Sequence, residues 1–340
     1  FRAGSHIRPS PTGKNCIRYL VDVSFSSRRN PTKPNSDFLL VSTQAWLWYS
    51  PDFNLVDIEV LDTQGTAINA FLPLQRIGKY YKLANSGLEW ESRSLLGKVD
   101  TYQLNLTNTT LEVAIAGKAI ERYQDWLNWL SATAKSIESV YGRYPVDRAK
   151  ILIVPIGKRS GPIPWGEVQR GGFPSVHFFI DETRNLDEFI KDWTGSHELS
   201  HLLLPKLSYR DRWMSEGIAS YYQNVARSRT GLLSNAQAWT KLKQGFARGR
   251  RDFNNRSLRK ANKIMHIYWG GVAYFFLADL RLREKGLSLD IVLQKFNQCC
   301  LPGFSLWTAE MLAKKLDHIS GSRIFTCLLY TSPSPRDSDQ

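Results

Sequence analysis

Alternation of apolar and polar positions dominates the first third of the chain. The segments "CIRYLVDVSF", "FLLVSTQAWLWYS", "LVDIEVLD" and "DTYQLNLTNTTLEVAIAG" are rich in β-branched and aromatic residues. That period and composition belong to half-buried strands. Turn-forming clusters separate them in "NPTKPNSD", "SPDFN" and "DTQG",. The pattern predicts a β-rich N-terminal domain, a sandwich or saddle, over residues 15–117. Residues 1–14 carry no such pattern and are expected to be disordered.

The period then changes. From Ala119 to Gly142, apolar residues fall at Ile120, Tyr123, Leu127, Leu130, Ala134, Ile137 and Tyr141. Spacings of three and four place them on one helix face, and Gly142 and Pro145 end it,. "KILIVP" and Ser175–Asp181 read as short buried strands, and from Asp187 onward the pattern is mainly helical. The fold class is therefore α+β: a β domain followed by a second, mainly helical domain over residues 118–325. Residues 326–340 interrupt the apolar periodicity, look like translated linker sequence, and are read as a non-native tail,.

Within the helical part lies "HELSH". Residues four apart on a helix stand on one face, so His197 and His201 can grip one ion, with Glu198 beside it as a base for the attacking water,. A catalytic zinc takes three protein ligands and leaves one position open. Glu216, in "RWMSEGIASYY" on the next helical stretch, supplies the third. Pro205 closes the first helix, and the small residues Gly217, Ala219 and Ser220 are expected to let the second approach it closely. The competing reading is a surface helix with a chance histidine pair.

"HELSH…RWMSEGIASYY" resembles the gluzincin zinc aminopeptidases, in which HExxH is followed by W-x-x-E-G-x-A/T-x-Y-Y. Downstream, "YWGGVAYFFLADLRLREKGLSLDIVLQKF" is similar to the clan's Y-x-K-G-A…S-L-D-D-V-L pattern, and "YYQNVARSRTGLLS" is closer to the glycyl aminopeptidase family than to the alanyl (aminopeptidase N) family. The resemblance implies a thermolysin-like catalytic domain, one Zn2+ held by His197, His201 and Glu216, Glu198 as general base and then acid, and Tyr268 as donor to the tetrahedral oxyanion. It also implies a strand G-(A/G)-(M/L)-E-(N/H) whose Glu holds the free amine of the substrate. The counterpart here is "GEVQR", so Gly166, Glu167, Gln169 and Arg170 become candidate substrate contacts, with Gln169 at the Glu position. A neutral amide does not pair with an ammonium as a carboxylate does. Glu167, on the same strand face as Gln169, is the other carboxylate to consider,. His266, two residues before Tyr268, is a further candidate near the substrate, and the Lys of Y-x-K-G is replaced by Gly270.

Composition changes this picture little. The formal charge is 45 − 31 = +14, much of it between Lys241 and Lys263. No nucleic-acid motif accompanies that run, so a solvated helix end is favoured and no nucleic-acid partner is expected. No apolar run is long enough to span a membrane,. Cys16, Cys299, Cys300 and Cys327 form no C-x-x-C pair and imply no disulfide framework,. Three functional readings stay open: a zinc aminopeptidase, a zinc endopeptidase or other amide hydrolase that ignores the free amine, and a non-catalytic binding protein on the same scaffold. Peptides or proteins are the partners in each.

Overall fold

A computed structural model describes residues 18–22, 37–47, 55–62, 64–65, 67–84, 92–117, 122–170, 173–254, 256–301 and 306–331. The expectations for residues 1–14 and for Ile120 lie outside the described residues.

The strands are β1 (Phe38–Ser42), β2 (Leu55–Ile58), β3 (Ala70–Phe71), β4 (Gln75–Ile77), β5 (Tyr80–Ala84), β6 (Arg93–Gly97), β7 (Val99–Asn105), β8 (Thr110–Ala116), β9 (Arg148–Pro155), β10 (Trp165–Gln169) and β11 (Ser175–Ile180). The helices are α1 (Thr43–Trp46), α2 (Tyr123–Tyr141), α3 (Leu186–Lys191), α4 (Thr194–Ser200), α5 (Arg212–Arg229), α6 (Asn235–Asp252), α7 (Ile264–Arg283), α8 (Leu289–Cys300), α9 (Ala309–Ser320) and α10 (Ile324–Thr331). Two three-stranded sheets, ordered β1-β6-β3 and β2-β5-β4, precede a five-stranded sheet ordered β10-β11-β9-β8-β7. The mixed α+β architecture expected from the sequence is the one observed.

The larger sheet is where pattern and structure part. β8 runs parallel to β9, with Thr110 opposite Arg148 and Ile115 opposite Ile153. A boundary at 117 therefore divides one sheet: β7 and β8, assigned to the N-terminal domain, are strands of the same layer as β9–β11. The alternation of β7 reads as an independent β domain because one of its faces is partly exposed. β9 and β11 are buried along nearly their whole length, which is why they read as continuous apolar runs.

One face of this sheet carries Leu111, Val113, Ile151, Ile153, Val176 and Phe178, and packs against Trp126, Trp129, Leu130 and Ile137 of α2. The tryptophans of "WLNWL" are thus core. Gly142 ends α2 in the left-handed conformation at φ 71°. The opposite face, with Ala114, Ala116, Leu152, Val154 and Phe179, packs on Leu40, Phe71 and Leu95 of the first sheet.

The apolar periodicity also extends further than the sequence suggests. α10 continues to Thr331 and buries Phe325, Leu328 and Leu329, so the packed fold does not stop at 325. Cys299 and Cys300 bond to one another at the end of α8; adjacent cysteines enclose no loop, so this is not a disulfide framework. Among the described residues no helix is long and apolar enough to cross a membrane.

Candidate metal centre

The motif helix α4 is short and held from behind. A Cβ at Gly195 would lie 2.6 Å from the Trp129 ring, so only glycine lets α4 press onto α2. The Asp192 carboxylate accepts from the Thr194 N–H at 2.7 Å, satisfying one of the unpaired donors of the first turn. His201 follows α4 in a tighter turn, His201–Leu203, yet its backbone stays helical at φ −60° and ψ −25°. The i, i+4 relation to His197 survives, and the two rings meet edge to face with centroids 4.9 Å apart.

α5 brings the third group. Glu216 Oε2 lies 3.2 Å from His197 Nε2 and 3.7 Å from His201 Nε2, and the ligand atoms of all three residues lie within 4.8 Å of one another. Zinc bonds of about 2.0–2.1 Å in a tetrahedron set neighbouring ligand atoms roughly 3.3 Å apart. The donor set therefore fits zinc in chemistry, and the two Glu216 distances are near that spacing. Each imidazole is also held from its other nitrogen: His197 Nδ1 meets Gln223 Oε1 at 2.8 Å, and His201 Nδ1 meets Ser215 Oγ at 3.0 Å. Such partners orient metal-binding histidines. The sequence reading missed both, although Ser215 adjoins Glu216 and Gln223 lies two turns further along the same helix.

Burial pushes both imidazoles below their ordinary range. The Glu216 contact, with the Glu198 charge, lifts His197 above it, whereas His201 stays down at about 3. The shorter His197 contact accounts for the difference in direction. Burial raises Glu216 as well, but the two imidazoles and the Tyr268 hydroxyl overcome this and hold it at about 2. Tyr268 comes from α7, its ring parallel to that of His197 at 5.8 Å.

Glu198 stands outside the ligand set. It lies against the edge strand β10, where a Cβ at Gly166 would be 2.4 Å from Glu198 Cγ. Burial lifts its carboxyl to about 7; Glu216 and Glu167 add to the rise, and His197 and Arg170 oppose it.

The remaining candidates divide by strand face. Gly166 and Arg170 lie toward α4 and α5: Arg170 Nη1 donates to Ser215 Oγ at 2.9 Å and to the His201 carbonyl at 3.3 Å. Glu167 and Gln169 lie on the opposite face. Glu167 accepts two bonds from Arg93, at 2.7 and 2.8 Å, and Gln169 donates to the carbonyls of Pro73 and Phe173 at 2.9 and 3.2 Å. Their side chains tie β10 to Arg93 of β6 and to the Pro73 and Phe173 carbonyls. His266 is likewise not brought to the site, because two helical steps turn it away from Tyr268. It is buried with its ring against Phe253 at 5.2 Å. At Gly270 a Cβ would meet the Leu258 Cδ2 methyl at 2.4 Å, so a larger residue there requires Leu258 to move.

One of the small residues of α5 serves a further partner. Gly217 faces α7, where a Cβ would come within 2.5 Å of the Gly271 backbone. This close approach is between α5 and α7, the helices that carry Glu216 and Tyr268.

No family model matches the sequence, and no curated protein matches it. The fold is similar to that of an M1 zinc metallopeptidase from Deinococcus radiodurans, with TM-score 0.51 and 11% identity over 88% of this chain and 63% of that one. It is also similar to leukotriene A4 hydrolase from Saccharomyces cerevisiae, with TM-score 0.52 and 11% identity over 81% of this chain and 45% of that one. An aminopeptidase N family protein from Idiomarina loihiensis gives TM-score 0.50 and 14% identity over 73% and 49%. The chain spans about half to two thirds of the length of these proteins.

Proposed function

We propose that this chain is a zinc-dependent hydrolase of peptide bonds. The observation that carries the reading is the convergence of His197, His201 and Glu216 within 4.8 Å, with Glu198 beside the cluster and not part of it. When bound, zinc supplies a Lewis acid and a water acidic enough to be deprotonated near neutral pH. Glu198 takes the proton of the attacking water and returns it to the leaving amine. The Tyr268 hydroxyl, which helps to hold the Glu216 carboxyl down, donates to the oxyanion of the tetrahedral intermediate.

A peptide substrate is supported by the sheet. β10 is an edge strand and runs beside Glu198, so an extended peptide can pair along it through main-chain bonds. Solved structures of similar fold include an M1 zinc metallopeptidase, an aminopeptidase N family protein and a leukotriene A4 hydrolase, which supports the hydrolase reading. Kinship to the glycyl aminopeptidases in particular rests on "YYQNVARSRTGLLS" alone. A non-catalytic scaffold is disfavoured because Glu198 and Tyr268 both stand at the ligand cluster.

Metal analysis and a peptide-library digest test the proposal. The expected results are one zinc per chain, loss of hydrolysis on chelation, and its return on adding zinc. Glu198→Gln is expected to keep the metal and lose about 10²–10⁴ in turnover. A chain that takes up no zinc, or that cleaves equally well with chelator present, refutes the reading.

A further inference from the structure

We infer that the site accepts peptide bonds whose neighbouring amine is acylated, internal bonds or N-blocked ends, in preference to bonds beside a free N-terminus. The inference rests on the metallopeptidase reading and adds the substrate class to it.

A substrate cleaved next to its N-terminus brings an ammonium close to the scissile carbonyl. In a desolvated cleft that charge has to be met by a carboxylate or lose most of its binding. The strand beside Glu198 is where such a group would stand, and its side chains are accounted for. Glu167, the one carboxylate of β10, lies on the far face with both oxygens held by Arg93 at 2.7 and 2.8 Å. Its second neighbour there is His177, with Nδ1 at 3.9 Å. Gln169, buried on the same far face, spends its amide on the Pro73 and Phe173 carbonyls. The site face of β10 presents Gly166 against Glu198, then Val168 by alternation, then Arg170. The Arg170 guanidinium reaches Ser215 and the His201 carbonyl, so the fixed charge that this strand adds to the site is positive. It repels an ammonium and tolerates a neutral amide. Among the described residues, the carboxylates that face the cluster are Glu198 and Glu216, which the metallopeptidase reading engages as base and ligand.

The test uses the zinc-loaded chain and matched reporters: an aminoacyl anilide with a free amine, and the same compound N-acetylated. The expected ratio of kcat/KM favours the acetylated reporter by at least tenfold. Val168→Glu installs a carboxylate on the site face and is expected to shift that ratio toward the free amine by at least tenfold, whereas Val168→Gln leaves it in place. Binding of leucine hydroxamate against N-acetyl-leucine hydroxamate, followed calorimetrically on unsubstituted protein, gives the same comparison without turnover or a folded variant. The acetylated compound is expected to bind more tightly. A free-amine preference in either assay, or binding of neither hydroxamate, overturns the inference. Zinc uptake is measured first, so a chain that binds no zinc refutes the metallopeptidase reading itself and this inference with it, whereas zinc-loaded protein that prefers the free amine refutes this inference alone.

Discussion

A metal site is only as firm as the groups that aim its ligands. His197 and His201 present one nitrogen each to Glu216 because Gln223 and Ser215 hold the other two at 2.8 and 3.0 Å. Second-layer partners of this kind are worth about 10–100-fold in metal affinity. Gln223→Met keeps the volume but removes the acceptor for His197 Nδ1. It is expected to weaken zinc binding by that factor in competition with a chromophoric chelator, with little change in melting temperature; unchanged affinity would show that packing alone orients the ring. At this scale much was legible in the sequence. The pairing of His197 with His201 is spelled out by spacing, because a helix converts a gap of four into a shared face, and Glu216 joins them from the next helix. The face that Gln169 and Glu167 occupy was not legible, for the complementary reason. Alternation says that the two share a face but not which face meets the helix, and the partners that settle it, Arg93 and Pro73, are distant in sequence.

At the scale of elements, the decisive contact is between two helices that share no motif. Gly217 on α5 and Gly271 on α7 touch backbone to backbone: a Cβ on Gly271 would lie 2.2 Å from the Trp213 carbonyl oxygen and 2.7 Å from the Gly217 Cα. Backbone cannot yield as a flexible side chain can, so the helices must separate to admit a methyl group. Gly271→Ala is expected to cost about 1–3 kcal/mol by overpacking and to move Tyr268 away from Glu216. Denaturant unfolding reports the first effect. The second appears as reduced kcat at normal zinc content, and a variant with wild-type turnover would show that Tyr268 tolerates the shift or plays no part. The sequence announces that these residues are small; it does not say which partner helix they serve. Close approach was expected between α5 and the motif helix; the two are joined through His197–Gln223 and His201–Ser215, and Gly217 serves α7 instead.

The whole molecule is organised around a sheet that neither half of the sequence contains. β7 and β8 come from the β-rich third, β9–β11 from the part that follows α2, and the sheet is covered by helices on one face and by Leu40, Phe71 and Leu95 on the other. Alternation marked β7 and β8, and short apolar runs marked β9 and β11, but neither could show that a parallel β8–β9 pair reaches across α2, because pairing partners leave no mark in a single sequence. This architecture predicts how the chain tolerates shortening. Starting it at residue 118 removes two of the five strands and strips β9 of the ladder that Thr110–Ile115 provide. The apolar face of α2 then loses Leu111, Val113 and Ile115 as well. Losses of that size exceed the roughly 5–15 kcal/mol by which domains are stable, so the fragment is expected to show no cooperative melt by circular dichroism. Starting at residue 98 keeps all five strands but uncovers Ala114, Ala116, Leu152, Val154 and Phe179 and deletes Arg93, the partner that holds Glu167. That fragment is expected to melt cooperatively and at a lower temperature, and to self-associate through the bared face on a sizing column, as exposed apolar patches do. A fragment beginning at 118 that melts like the full chain would mean that β7 and β8 are dispensable, and that the metal site rests on the helices alone.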